Sequence, residues 1–260
     1  DVRFGTEVLG ATWSDEAQTW AVEVRATGAG DGPSETVQVD ALVSAVGQLN
    51  RPHLPEIPGI EDFTGPWFHS ARWDHSVDLT GKRVAVIGTG ASAAQFIPAV
   101  AEQAADLVVF QRTPNWLAPT PDYHEDVEPE TAWLQAALPE YGDWYRLWLF
   151  WRMHEGLTSA AAVDPEWSSP TGSVSLLNEM VRMGLVEYLE EQFAGHPDLL
   201  EKVVPTYPPI AKRIVRDNGV WARTLTADHV HLVTDAIEAV TPTGVRAGGV
   251  DHEVDVIIYG

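Results

Sequence analysis

Cysteine is absent from the chain, which excludes disulfides, thiolate metal sites and a thiol nucleophile. No run of 18 apolar residues occurs, and no basic-then-apolar stretch opens the sequence. A spanning helix and a secretory signal are therefore not expected, and the chain reads as cytoplasmic. Cations are scarce: 16 Lys+Arg stand against 38 Asp+Glu, a formal net charge of −22. A surface of that sign repels nucleic-acid phosphates and anionic membranes. A small molecule is the partner to look for. What the chain does have is 45% hydrophobic residues in 260, enough to bury a core in one or two domains.

The sequence opens at Asp1 and closes on Val254–Gly260 (VDVIIYG), a buried-strand pattern with nothing after it. An internal fragment of a longer protein is expected. Residues 1–49 read as β structure, with Thr19–Arg25 and Thr36–Val46 as strands joined by a turn at Gly28–Pro33. Pro52, Pro55, Pro58 and Gly59 punctuate the loop that follows. Lys82–Ile87 reads as a strand, Gly88–Gly90 as a turn, Ser92–Ala105 as a helix and Leu107–Phe110 as a second strand. That is a βαβ unit. Residues 121–202 read as helical, 203–226 as loop and 229–260 as further strands; no internal repeat is evident. Five of the eleven tryptophans fall between Trp133 and Trp167. Trp144, Trp148 and Trp151 share one helical face, expected first as a core stripe. The wall of an apolar pocket or an oligomer interface is the alternative.

Arg83–Ala94 (RVAVIGTGASAA) contains GxGxxA at Gly88, Gly90 and Ala93. It follows an apolar strand and opens a helix, the context a dinucleotide fingerprint needs. The first glycine permits the turn, the second admits a pyrophosphate, and the helix N-terminus offers free N–H groups. A glycine-rich turn with no ligand is the plain alternative. An NAD site places Asp or Glu about 20 residues on, at the ribose 2′-hydroxyl. Here Gln111, Arg112 and Thr113 stand there instead. A guanidinium suits a 2′-phosphate, so NADPH is favoured over NADH. His229 and His231 lie i, i+2 on a strand but lack further ligands at metal-site spacing, so no metal is expected.

One further segment is FTGPWFHSARWD, which matches FxGxxxHxxxWD at Phe63, Gly65, His69, Trp73 and Asp74. Val46–Gly59, Phe110–Trp116 (FQRTPNW) and Tyr207–Gly219 (YPPIAKRIVRDNG) agree in order. Together they resemble the Baeyer–Villiger monooxygenases, flavoenzymes that oxidise ketones, over residues 1–260. The Trp-rich insert is most similar to the 4-hydroxyacetophenone monooxygenase group.

The resemblance implies an α/β fold with two Rossmann-like domains. Residues 1–60 and 236–260 would be returning parts of a FAD-binding domain. Residues 61–235 would bind NADP, with a signature linker at 61–81 and the helical insert at 121–202. It implies a FAD- and NADPH-dependent monooxygenase that inserts one atom of O2 beside a ketone carbonyl, aryl ketones included, and leaves a homodimer open. Gly88, Thr89, Gly90, Ala91, Ser92 and Ala93 would hold the pyrophosphate. Arg112, Thr113 and Lys212 would face the 2′-phosphate end, and Gln48 would line the nicotinamide end. Arg213 matches the active-site arginine, which offsets negative charge developing during reaction. His69 and Trp73 read as hinge and domain-coupling residues. The bland alternative for Lys212–Arg213 is a solvated basic pair. Two other functions stay open: a flavin monooxygenase acting on nitrogen or sulfur, and a non-catalytic NADP-binding module.

Overall fold

The computed structural model describes residues 2–47, 49 and 51–260, with the side chains of 152–154 and 156 left aside. The chain divides into two compact units, Asp1–Arg51 and Pro52–Gly260.

The first unit is a three-stranded antiparallel meander of β1 (Thr6–Ser14), β2 (Thr19–Ala26) and β3 (Ser34–Val39). The strand expected over Thr36–Val46 ends at Val39 instead. Residues 41–47 are exposed and pair with no strand among the described residues, although their apolar pattern is that of a buried strand. A buried parallel strand needs a parallel sheet beside it, and the sheet of this unit is an antiparallel meander.

In the second unit, β4 (Trp67–His69) is followed by β5 (Arg83–Ile87), α1 (Ala91–Ala101) and β6 (Asp106–Phe110). Then come β7 (Leu117–Pro119), α2 (Pro129–Ala137), α3 (Tyr141–Ala161), α4 (Leu176–Gln192) and α5 (Pro197–Val203). The chain closes with β8 (Val215–Asp217), α6 (Val220–Leu225), β9 (Val230–Val233), β10 (Ile237–Thr241), β11 (Gly244–Ala247), β12 (Val250–Glu253) and β13 (Val256–Tyr259). Five strands form one parallel sheet in the order β4-β13-β5-β6-β9. The βαβ expectation holds, and β5–α1–β6 is its crossover.

Alternate side chains enter opposite layers, as the pleat requires. Val84, Val86, Leu107, Val109 and Ile258 face α1 and α6, meeting Ile97, Val100, Trp221 and Leu225. Ala85, Val108, Ile257 and Tyr259 face the antiparallel meander β10–β11–β12, meeting Val240, Val245 and Ala247. Both faces are covered, which is why the strands read as continuous apolar runs.

Several expectations are corrected. The boundary expected at residue 60 falls after Arg51, because Leu54, Ile57 and Ile60 pack on the meander side of the sheet. The tail 236–260 lies within this same unit, where β13 sits between β4 and β5. The stretch expected as loop over 203–226 holds β8 and α6. The Trp144, Trp148 and Trp151 stripe is not core: exposures are 67%, 49% and 62%. Helix α3 packs on α2 and α4, and Leu147, Leu149 and Phe150 are exposed as well. An aromatic stripe becomes core only when another element covers it.

Candidate dinucleotide site

Register brings four strand ends together. Ile87 pairs with both Tyr259 and Phe110, and Phe110 with Val233. The carboxyl edges of β13, β5, β6 and β9 are thus level. A cleft of about 920 Å³ opens there, the place where open parallel sheets bind ligands. Gly88, Thr89, Gly90, Arg112, Thr113 and Lys212 line it, as does His69.

The turn is built by specific contacts. Gly88 has φ +106, and a Cβ there would meet the Gly260 carbonyl oxygen at 3.0 Å. Its N–H donates to Phe110 O at 3.0 Å. Thr89 is buried, its hydroxyl donating to Thr113 O at 3.4 Å. Asn115 Nδ2 donates to Thr89 O. Gly90 differs: a Cβ there would meet no protein atom within 4 Å. The fold does not need glycine at position 90. Gly90 is also the N-cap of α1, and no side chain caps the helix. Its first N–H groups are left for a ligand, and the dipole favours an anion.

The expected pyrophosphate residues divide here. Ser92 is exposed on the first turn of α1, and Ala91 is half-buried. Ala93 is fully buried, packed against Gly260. Its side chain serves helix–strand packing. Arg112 and Arg213 are exposed with no ion or hydrogen-bond partner among the described residues. Arg213 neighbours Lys212 in sequence but does not line the cleft. Gln48 lies outside the described residues. His229 Nε2 pairs with Ala101 O at 2.8 Å, and His231 Nε2 with Asp106 at 2.9 Å.

The 63–74 signature is architectural in most of its positions. Phe63 is buried on the meander side. A Cβ on Gly65 would come within 2.6 Å of Asp255 O and 2.8 Å of the Phe63 ring. Trp73 stands edge-on to Phe68 at 5.1 Å and to Phe96 of α1 at 5.3 Å. Asp74 accepts from the Ser76 hydroxyl and N–H at 2.6 and 2.9 Å. These bonds, the hydroxyl's first, hold its carboxyl below the usual range. His69 Nδ1 accepts from Ala71 N at 3.0 Å, which turns its ring at the end of β4.

Sequence reading missed His53, Asn115, Asp235 and Tyr259, all of which line the cleft. Asp235 and Tyr259 follow from strand order, since each lies at or just past a carboxyl end of the sheet. Burial pushes the Tyr259 phenol up to about 12.

Residues 2–122 match the family model described as flavin-binding monooxygenase-like. Over these residues the chain is similar to the flavin-binding monooxygenases. An uncharacterised monooxygenase of Sinorhizobium fredii is 40% identical over 99% of this chain and 38% of its own length. A Baeyer–Villiger monooxygenase of Streptomyces coelicolor is 35% identical over all of this chain and 46% of its own. The crystal structure of a monooxygenase termed OTEMO, in complex with FAD and NADP, superposes with a TM-score of 0.74. It is 28% identical over 99% of this chain and 52% of that one. The chain thus spans between two-fifths and about half of these relatives. The α/β fold with its parallel sheet matches that of the solved flavin monooxygenase.

Proposed function

We propose that residues 52–260 bind NADPH, within a protein that oxidises a ketone to an ester or lactone with FAD and O2. One observation carries the cofactor reading. A glycine needed only from the ligand side opens an uncapped helix, and Arg112 and Lys212, two cations with no carboxylate partner among the described residues, stand on the same cleft. The residues at the end of β6, Gln111–Thr113, include no carboxylate that would repel a 2′-phosphate. Bound there, NADPH supplies hydride, and FAD supplies activation of O2.

The chain's own residues then have separate tasks. Gly88, Thr89 and Gly90 shape the cradle, while the N–H groups of Ala91, Ser92 and Ala93 face the pyrophosphate. Arg112 and Lys212, with Thr113 beside them, take the 2′-phosphate. Arg213 offsets charge gathering on the carbonyl oxygen of the ketone as it is attacked. A fixed guanidinium suits that task because it needs no proton movement and little reorganisation. His69 and Trp73 couple β4 to the cleft and to α1. Ketone oxidation is favoured over oxidation of nitrogen or sulfur by Trp73–Asp74 and by relatives that carry the Baeyer–Villiger name.

Residues 1–51 belong, in this reading, to a FAD-binding domain. The second unit gives the pattern: meander β10–β12, then Asp255, then the apolar run of β13, inserted into a parallel sheet. The first unit repeats it: meander β1–β3, then Asp40, then the apolar run 41–47. A parallel sheet of a second dinucleotide domain is what that run fits.

The test uses the whole protein with FAD, NADPH, O2 and a panel of ketones that includes an aryl methyl ketone. Ester formation with one NADPH consumed per product is expected. Oxidation of a thioether or amine without any ester would move the reading to the heteroatom oxidisers. NADPH bound and never consumed would leave a binding module.

A further inference from the structure

The loop that carries Lys212 is held by bonds the dinucleotide fingerprint does not account for. Tyr207 is fastened at both ends: its hydroxyl donates to Pro114 O at 3.0 Å, and its carbonyl accepts from Trp116 Nε1 at 3.0 Å. Trp116 is 1% exposed, and Arg182 lies over its ring at 5.9 Å. Two residues on, Pro209 O accepts from the amide of fully buried Asn178 at 3.0 Å. Ile210 follows with φ +72, a region a β-branched residue enters only when its surroundings force it. The chain thereby turns back, and the Lys212 ammonium comes to rest 4.6 Å from the centre of the Tyr207 ring.

We propose that Tyr207 is a specificity-determining positioning residue whose ring face holds the Lys212 ammonium at the cleft, so that the site discriminates for the 2′-phosphate. The inference rests on the reading of Lys212 given above. A lysine head on four rotatable bonds otherwise sweeps solvent, and each stray rotamer weakens its phosphate contact. The ring attracts the ammonium electrostatically and keeps its place even without the hydroxyl, because its backbone is tied to Trp116 and the ring stands edge-on to the Trp116 ring at 6.3 Å. Tyr207 makes no claim on the ligand. It acts through Lys212.

The test is a comparison of NADP+ and NAD+ affinities in the whole protein. Tyr207→Phe keeps the ring face and is expected to keep the NADP+/NAD+ ratio. Pentafluorophenylalanine at position 207 keeps the ring's shape but reverses its quadrupole, so packing survives while attraction becomes repulsion. The ratio should then fall by about two- to five-fold, the size of an exposed cation–π contact. On a Lys212→Ala background the same replacement should change nothing, since the cation it acts through is gone. An unchanged ratio for the fluorinated ring, while Lys212→Ala lowers it, overturns the proposal. So does equal weakening of NADP+ and NAD+, which marks a purely structural tyrosine. Failure of the NADPH reading looks different: Lys212→Ala itself would then leave the ratio untouched.

Discussion

Gly260 lies against Ala93 so closely that a Cβ on the glycine would sit 2.8 Å from the alanine methyl. The end of β13 and the first turn of α1 therefore touch across two residues without side chains to spare. Ala93→Val is expected to overpack this contact and to cost about 1–3 kcal/mol. A chemical-denaturation midpoint equal to wild type would show that the helix can retreat from the strand.

The two fingerprint glycines should separate fold from ligand. Gly88→Ala places a Cβ at φ +106, 3.0 Å from Gly260 O, so it should lower stability by about 1–3 kcal/mol. Gly90→Ala meets no protein atom within 4 Å and should leave the unfolding midpoint unchanged. Its NADP+ affinity should fall at least about ten-fold, or ~1.4 kcal/mol. Calorimetric titration beside thermal melts reads both. Undiminished affinity in a folded Gly90→Ala variant would remove the pyrophosphate from this turn.

Arg112→Ala should weaken NADP+ by about 10- to 150-fold, or ~1.5–3 kcal/mol, and leave NAD+ nearly unchanged. The loss is selective because only one of the two ligands carries the 2′-phosphate. Equal weakening of both would place Arg112 elsewhere on the nucleotide.

Arg213→Ala in the whole protein should still bind NADPH, since Arg112 and Lys212 stay in place. Ester formation should drop about 100- to 1000-fold, the cost of removing one donor aimed at developing charge. Arg213→Lys should recover part of the rate, because a flexible point charge does not reproduce a planar fork. Wild-type turnover in Arg213→Ala would make this arginine a bystander.

Acid should act through Asp255. Its carboxylate accepts from Arg83 Nη2 at 2.8 Å and from the Arg83 backbone N–H at 2.9 Å. Those bonds, the guanidinium's first, hold its pKa below the ordinary 3.8. A carboxyl with a depressed folded pKa stabilises the fold above the unfolded value, and that contribution fades as pH falls through the folded one. Asp255→Asn should therefore unfold at lower denaturant than wild type at pH 7, and the difference should shrink below about pH 3.8. A difference that stays constant with pH would assign the effect to packing.

The strand, glycine turn and helix of the candidate site were legible because they follow one another in the chain. Strand, turn and helix lie within Arg83–Ala101, although Gly88 and Ala93 also answer to Gly260 at the far end of the chain. The signature at Phe63–Asp74 was legible as a pattern but not as a purpose. Two of its residues serve contacts with Asp255 and Phe96 that only the folded chain brings together, while Asp74 closes a local turn with Ser76. The repeat of meander, aspartate and apolar run was also hidden, since it lies in topology rather than in matching letters.

By itself, then, the sequence determined the βαβ unit, the GxG turn and the cation beyond β6, all products of short-range periodicity and backbone sterics. Tertiary structure decided what depends on strand order and covering surfaces. It set β13 between β4 and β5, which drew Tyr259 and Gly260 to the cleft. It left the α3 tryptophans outside, because apolar periodicity says which residues share a face and not whether another element covers it. It also rested Lys212 on Tyr207, five residues away in the chain, through a backbone turn at Ile210 that buried partners impose and no local propensity favours.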